Sequence, residues 1–598
     1  MCRIFGYLGD EDISANVLRR VSQLQIHGGP DNQTFTQANN WALGNNRLAI
    51  QGINGGSQPY NKDEKIHVVF NGEIYNHNQL RILLEHDGYF FKDTCDGSIL
   101  PALYHKYGQD FVRYLDGMFA IAVIDTREGV QLTLATDPSG IKSLYYYWNN
   151  EDKTLKFSSE LSPLLAFGKI KNEISATQVD SYFTGKAIWG NKTIYNEIYT
   201  LKPASILVMQ YGQREKIYNY ISLIDSEINC SNIEDAAYCL NQLLDNEVSS
   251  LMKADVPVCV VTSGGLDSSY ISALASKYSN NLHSFNIWYE GEWPQDERHF
   301  AKEVADYSKT IHHQIIIAQN DFPGLIQNML EHIGQPNSAP HALSTYALFK
   351  EIKNSGFKVA LTGEGADEFF GGYARFSKAN FDTQNDWLPS YLDKLSAIPK
   401  NLREEIYSDE YKNHLKTSDT LYDNTIKEIT SREYKNKNRL KTLLEFDQID
   451  RFPDYILRRV DHLSMANSLE VRVPFCQPRI TSASRKLPND FKVTHQQGKL
   501  ILYKAARGKV PESILNRPKQ PFLLPIASML KKGHILYDLL IDTIHSQMFQ
   551  SRNLFKKHAI ETLIEKHATN PTDIYAESLW SLMILELWLK TTSNSLTV

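Results

Sequence analysis

The chain has few cysteines for its length and none of the spacings that would give them a structural job. Six Cys in 598 residues (2, 95, 230, 239, 259 and 476) form no C-x-x-C pair and no regular series. That excludes a disulfide framework and a structural zinc site, and it points to a reducing, cytoplasmic setting. No basic tract is present and the net charge is −6, so the electrostatic footprint of a nucleic-acid binder is missing and the expected partners are small molecules. Long apolar runs are also lacking. The most apolar late segment, Leu579 to Leu589, is short and interrupted by Glu586, which reads as a buried helix and not a membrane span. No signal peptide precedes Cys2, and no internal repeat or low-complexity tract appears. The G-x-x-x-x-G-K-[ST] loop of the common nucleotide-triphosphate binders is absent as well, so γ-phosphate transfer of the usual kind is not indicated.

What is present begins at the second residue. Cys2 follows the initiator Met in Met1-Cys2-Arg3-Ile4-Phe5-Gly6, and removal of Met1 would leave a terminal thiol carrying its own amine. A thiol with pKa about 8.5 and an α-amine near about 7.7–8.0 can exchange a proton at neutral pH, so no histidine partner is required.

The first part of the chain reads as short apolar or alternating runs between Gly and Asn clusters, as in Lys65–Phe70, Met118–Ile124 and Gln131–Ala135. Helical periodicity appears in Ile13–Gln25 and Gln79–Glu85, so the expectation is antiparallel sheet covered by helices. We expect a domain over 2–210, a polar, irregular linker over 211–233 and a second domain over 234–598. In the second domain, amphipathic helices alternate with apolar strands such as Val256–Val261, Phe285–Trp288 and Val359–Leu361, the signature of a parallel sheet, and the chain turns mostly helical after Trp387.

Two clusters in that second domain carry chemistry. Ser263-Gly264-Gly265-Leu266-Asp267-Ser268-Ser269 lies between the Val256–Val261 strand and an expected helix over Tyr270–Tyr278, where backbone N–H groups converge on a phosphate. Strand Val359–Leu361 runs into Thr362-Gly363-Glu364-Gly365-Ala366-Asp367-Glu368, acids amid glycines that make a poor core. Asp267 and Asp367, each at the carboxyl end of a strand, could hold Mg²⁺ against a triphosphate.

With these residues in place, the sequence resembles the glutamine-hydrolysing asparagine synthetase family over nearly its whole length. Asp461 to Phe475 (DHLSMANSLEVRVPF) is similar to the family's signature segment, and the Ser263–Ser268 turn resembles the pyrophosphate loop of enzymes that split ATP between the α and β phosphates. The resemblance implies an α+β N-terminal nucleophile glutaminase of two stacked antiparallel sheets covered by helices, followed by an α/β parallel-sheet ATP-pyrophosphatase domain with a helical C-terminal extension. It implies ATP and Mg²⁺ as cofactors, glutamine and a carboxylic acid as substrates, and leaves a homodimer open.

Residue by residue, the resemblance gives Cys2 as nucleophile and Asn71 and Gly72 as the oxyanion hole. Arg47 would bind the glutamine α-carboxylate, Glu73 and Asp96 its ammonium, and main-chain atoms near Ile50 would complete the pocket. Val261, Ser263, Gly264, Gly265, Asp267, Ser268, Ile287, Thr362 and Gly363 would bind ATP, with Asp267 and Asp367 as metal ligands. Glu364 matches the acid near the aminated carboxyl and Lys499 the active-site lysine, a fixed cation where charge builds on phosphorus.

Departures fall at defined places. The family's Cys-Gly-Ile opening has Arg3 here, its Arg-Gly-Pro-Asp has Gly28, and its Arg-Asp-x-x-Gly-Ile-Lys has Thr136. A Glu-Pro-x-x-Asp stretch reads Gln335-Pro336-Asn337-Ser338-Ala339, without its acids. Three functions compete: an aspartate amidotransferase, the same chemistry on a different acid, and a regulatory module with a decayed site. The intact Cys2, Asp267, Asp367 and Lys499 speak against the last.

Overall fold

In the computed structural model, residues 1–598 are described except 54, 294, 295, 385, 520–523 and 593–598. Strands β1 (Cys2–Leu8), β2 (Asn32–Ala38), β3 (Trp41–Arg47), β4 (Tyr60–Lys62), β5 (Ile66–Ile74), β6 (Gly117–Asp125), β7 (Gln131–Thr136), β8 (Tyr145–Asn149), β9 (Thr154–Ser158), β10 (Ile198–Thr200), β11 (Ser205–Gln210) and β12 (Lys216–Asn219) build the amino-terminal part. They form two six-stranded antiparallel sheets, ordered β10-β8-β9-β1-β3-β2 and β12-β11-β7-β6-β5-β4.

Strand β6 shows why the sheets stack. It is buried along almost its whole length, and its side chains divide with a period of two between different cores. Ala120, Ala122 and Ile124 face the other sheet and meet Ile4, Leu43 and Phe157. Phe119, Ile121 and Val123 face outward and are covered by Leu80, Leu84 and Leu103 of helices His77–His86 and Leu100–Tyr107. The expected helix over Ile13–Gln25 forms as Ala15–Gln23.

The segment expected to be an irregular linker contains a strand. Lys216–Asn219 pairs with β11 at the sheet edge and is exposed throughout, so its composition carries no burial signal. The next helix, Ile233–Leu251, is capped by the Asn232 side chain, which accepts from the Asp235 N–H.

Strands β13 (Val258–Val261), β14 (His283–Tyr289), β15 (Ile311–Ile317), β16 (Val359–Leu361) and β17 (Glu470–Arg472) form a parallel sheet ordered β15-β14-β13-β16-β17. Successive strands run outward from β13 through β14 to β15, and the chain then returns to the other side of β13. The strand order therefore reverses between β13 and β16, which opens a crevice beyond their carboxyl ends. The helix expected over Tyr270–Tyr278 is instead Leu266–Ala275, because Gly265 already occupies the extended N-cap position. Asp267 thus stands in the first helical turn, not in the loop.

Helices fill the remainder. The last, Asp573–Thr592, is buried on nearly every side, and its Glu586 is matched by a bidentate Arg552 guanidinium, Nε to Oε2 at 2.6 Å and Nη2 to Oε1 at 3.2 Å. Among the described residues no helix is long and apolar enough to cross a membrane.

Candidate active sites

Strand pairing places the thiol. Cys2 on β1 lies directly opposite Arg47 on β3, and β5 from the facing sheet brings Asn71, Gly72 and Glu73 to the same end. A pocket is lined by Cys2, Arg47, Ile50, Gly72, Glu73 and Asp96, with Gln58 beside them. The Cys2 backbone N–H donates to Asn71 Oδ1 at 3.1 Å, and the Asn71 amide nitrogen is buried with no partner. Gln58 Nε2 donates to Cys2 Sγ at 3.3 Å and to the Phe70 carbonyl at 3.1 Å. Burial pushes the thiol pKa up, opposed by the terminal ammonium, Asn45 and Arg47.

In the full chain the ammonium belongs to Met1 and donates to the Leu48 carbonyl at 2.9 Å, so the Cys2 nitrogen is still a peptide N–H. The terminal amine read from the sequence therefore requires removal of Met1.

Carboxylates outnumber cations on one wall. Burial, then Asp96 and Glu470, push Glu73 well above the usual carboxylate range, and burial likewise raises Asp96. Glu73 Oε1 has no hydrogen-bond partner, and its nearest cation is Arg472 Nη2 at 3.8 Å. Such a wall is built to receive a cation.

Arg47 and Ile50 are less free than the sequence reading implies. The Arg47 guanidinium donates to the carbonyls of Gln51, Gly52 and Gly55, and the Ile50 carbonyl accepts from the Asp255 N–H at 3.0 Å. Asp255 Oδ2 also accepts from the Gly52 N–H at 2.8 Å. The loop over the thiol is thus tied to the start of the second domain.

The second site is the crevice at the strand-order reversal. Val261 ends β13, Ile287 lies on β14, and Thr362 and Gly363 follow β16. Gly264 has φ +78°, and a Cβ there would meet Phe300 Cβ at 2.6 Å, so the turn needs glycine. Ser268 Oγ accepts from the Ser263 N–H at 3.0 Å and fixes the loop. Asp267 Oδ1 and Thr362 Oγ1 are buried and unpartnered beside it.

Lys499 Nζ sits 2.6 Å from Asp267 Oδ2 and 2.8 Å from Asp367 Oδ1, and Lys519 also pairs with Asp367. Gly372 permits this approach, since a Cβ there would lie 2.0 Å from Lys499 Cε. Burial raises the Glu364 pKa, with Arg459 the strongest opposing charge.

Two of the departures lie in contact. Arg3 is fully buried, with Nε 2.7 Å from Glu160 and Nη1 2.7 Å from Asp461, whose other oxygen takes Lys142 at 2.8 Å. A Cβ on Gly28 would fall 2.6 Å from Arg3 Cγ. Gly28 thus leaves the room that the Arg3 side chain fills.

Arg3→Gly is expected to cost about 3–5 kcal/mol by removing the guanidinium that Glu160 and Asp461 share, and Gly28→Arg to overpack. The double exchange should restore most of the stability, with a coupling of about 2 kcal/mol or more in a thermal or urea double-mutant cycle. Simple additivity would show the exchange to be coincidental.

The same cluster predicts acid sensitivity. Burial and Arg3 lower His462 to about 4, while Arg3 and Lys142 overcome burial to hold Asp461 down at about 2. Both folded values lie below the unfolded ones, so stability is full above the unfolded values and is lost as pH falls. His462 contributes up to about 3 kcal/mol of that loss between about pH 6.5 and 4. Urea midpoints should fall steadily across that window, with a weaker fall in His462→Gln.

The other departures serve packing. Thr136 Oγ1 donates to the Lys202 carbonyl at 2.5 Å, Gln335 Oε1 accepts from the Ile194 N–H at 3.1 Å, and Ala339 is buried.

Sequence reasoning missed Gln58, Lys519 and the role of Arg472. Gln58 sits in a loop without pattern; the only cue to Lys519 is the basic Arg517-Pro518-Lys519 run. Arg472 lies in the quoted signature segment, and its backbone carbonyl accepts from the Thr362 N–H at 3.1 Å while its side chain faces Glu73.

Comparison with known proteins matches two domains along the chain. A family profile described as asparagine synthase matches residues 239–590, and one described as glutamine amidotransferase domain matches residues 1–221. The chain is 30% identical over 543 residues to asparagine synthetase (glutamine-hydrolyzing) 3 of Bacillus subtilis (strain 168), covering 87% of each protein. It is 28% identical over 609 residues to asparagine synthetase (glutamine-hydrolyzing) 1 of the same organism, covering 96% of this chain and 93% of that one. With asparagine synthetase B (glutamine-hydrolyzing) of Escherichia coli (strain K12) it shares 32% identity over 397 residues, 63% of this chain and 66% of that one. The chain belongs to the asparagine synthase family and is an enzyme that joins a glutamine amidotransferase domain to a synthase domain.

Proposed function

We propose that the protein hydrolyses glutamine at Cys2 and uses the ammonia to amidate an adenylated carboxylic acid. L-aspartate is the acceptor, and L-asparagine, AMP, pyrophosphate and glutamate are the products. The observation that carries this reading is the convergence of the Asp267 helix turn, Asp367 and Lys499 on one crevice where the strand order reverses.

In the first half-reaction the Cys2 thiolate attacks the glutamine carboxamide carbon. The oxyanion would be met by the Gly72 N–H and the Asn71 amide, whose donor is buried and unpartnered. Glu73 and Asp96 pair with the α-ammonium. Arg47 takes the α-carboxylate by exchanging one of its three loop carbonyls for it.

In the second, the acceptor carboxylate oxygen attacks the α-phosphorus of ATP and pyrophosphate leaves. Ammonia then attacks the acyl carbon and AMP departs with that oxygen. Ser263, Gly264, Gly265 and Ser268 of the turn would hold phosphates, with Val261, Ile287, Thr362 and Gly363 around the nucleoside. Lys499 stabilises the charge that builds on phosphorus.

Two carboxylates, each in the first turn of a helix and one with an unpartnered buried oxygen, fit Mg²⁺, which commonly takes one or two protein carboxylates plus substrate phosphates. Asp267 and Asp367 would hold it, and it would supply charge neutralisation to the triphosphate. Glu364 stands near the acyl carbon as the acid beside the amination step.

The synthetase names of the relatives support aspartate. Gln335 accepts from the Ile194 N–H and so has a role in the fold. The test is pyrophosphate release from MgATP with ammonia and a panel of carboxylic acids. Aspartate should give the highest kcat/KM; good turnover with another acid and none with aspartate would overturn the acceptor.

A further inference from the structure

We propose that Gln58 is a catalytic residue of the glutamine site, a fixed donor whose second side-chain N–H hydrogen-bonds the Cys2 sulfur and stabilises the thiolate that attacks the amide. The inference rests on the reading of Cys2 as the glutamine nucleophile and adds to it the group that holds the reacting sulfur.

Strand register places Gln58. β4 pairs with β5 through Tyr60 opposite Val68 and Lys62 opposite Ile66, and the same antiparallel count puts position 58 opposite Phe70. There the Gln58 side-chain amide takes the place of a backbone ladder. Its Oε1 accepts from the Phe70 N–H at 2.7 Å, and its Nε2 donates to the Phe70 carbonyl at 3.1 Å. The Gln58 carbonyl accepts from Thr34 Oγ1 at 2.5 Å, which ties the residue to β2 of the other sheet as well. Gln58 is 4% exposed.

That fork decides which way the amide points. A backbone N–H can only donate and a carbonyl can only accept, so Oε1 must face the Phe70 N–H and Nε2 the Phe70 carbonyl. Reversing the amide would break both bonds. One N–H of Nε2 is left over, and it meets Cys2 Sγ at 3.3 Å. A glutamine that served the fold alone would need only the Phe70 pair.

The leftover N–H lies where a thiolate needs it. Burial works against charge on the sulfur, and Asp96 adds to that, while the terminal ammonium, Arg47 and Asn45 oppose it. Glu73, Cys95 and Tyr60 are the other titratable groups on the pocket wall. Once Met1 is removed, the thiol proton passes to the Cys2 α-amine and leaves the sulfur charged beside the Gln58 N–H. Hydrogen bonds to ionised acceptors are stronger than those to neutral ones, so the contact favours the thiolate over the thiol. Among the described residues, Gln58 makes no hydrogen bond to Arg47, Glu73 or Asp96, so its side chain acts on the sulfur and not on the groups assigned to the glutamine α-carboxylate and α-ammonium.

The test alkylates the full chain, processed to Cys2, with iodoacetamide from about pH 6 to about pH 10. Modification is read at the Cys2 peptide by mass spectrometry, which separates it from Cys95 in the same pocket. Gln58→Met removes the donor, and Gln58→Glu replaces it at the same shape by a carboxylate. The alkylation midpoint should move upward by about one pH unit in Gln58→Met and further in Gln58→Glu. The kcat for glutamine near pH 7 should fall about 10-fold in Gln58→Met, with KM held within about twofold, and the deficit should narrow as pH rises.

An unchanged melting midpoint reports an intact fold, and Gln58→Leu substitutes if the Met variant does not fold. An alkylation midpoint that stays at the wild-type value, or one that moves with no change in kcat, would overturn Gln58 and leave the glutaminase reading standing. A midpoint that moves as expected in a protein whose wild type hydrolyses no glutamine would sink the glutaminase reading and keep Gln58 as the donor to the sulfur.

Discussion

Replacing Cys2 by alanine is expected to abolish glutamine hydrolysis and glutamine-supported synthesis while leaving ammonia-supported synthesis intact. Loss of a nucleophile removes the covalent route itself, an effect of about 10⁴-fold or more. The sulfur's side-chain partners, Gln58 and Asn45, belong to the amino-terminal part, so its removal leaves the strand-end crevice undisturbed. Parallel assays of glutamate release and of pyrophosphate release with ammonia separate the two activities. Glutamine hydrolysis that persists in Cys2→Ala would remove the thiol from the mechanism.

The second large effect is expected at Lys499. Lys499→Met should lower pyrophosphate release by about 10²–10³-fold with either nitrogen source, the usual cost of deleting a preorganised charge from a transition state. Glutaminase activity should survive, since Lys499 contacts Asp267 and Asp367 and no group of the thiol cavity. Asp267→Asn and Asp367→Asn should lose synthesis in the same way, with a raised Mg²⁺ requirement where activity remains. Pyrophosphate release at the wild-type rate in all three variants would show that the crevice is not the adenylation site.

Much of the fold could be read wherever burial leaves a period. Strands β6 and β7 and the apolar run ending at Val261 were legible because side chains facing a core must be apolar at fixed spacing. Strand β12 was not, because an exposed edge strand pairs through its backbone and asks little of its side chains. The start of the Leu266–Ala275 helix was misplaced for a related reason: Leu266 and Asp267 look like loop by composition, and only the N-cap geometry of Gly265 shows that they belong to the first turn.

The candidate sites were legible as residue types and illegible as contacts. Every residue expected around the thiol lies at one end of the sandwich, yet nothing local in sequence says that Arg47 is held by loop carbonyls or that Ile50 is bonded to Asp255. The Arg3 and Gly28 departures stand 25 positions apart in the sequence. They are in contact because strand pairing and domain packing bring positions 3, 28, 160 and 461 together across hundreds of residues.

The central claim is that a carboxylate is activated by transfer of AMP, and the most direct test follows an oxygen atom. With the acceptor labelled by ¹⁸O in its carboxylates and ammonia as nitrogen source, the account predicts one ¹⁸O in the AMP released and none in pyrophosphate. Label appearing in inorganic phosphate with ADP as co-product, or AMP formed without label, would contradict it.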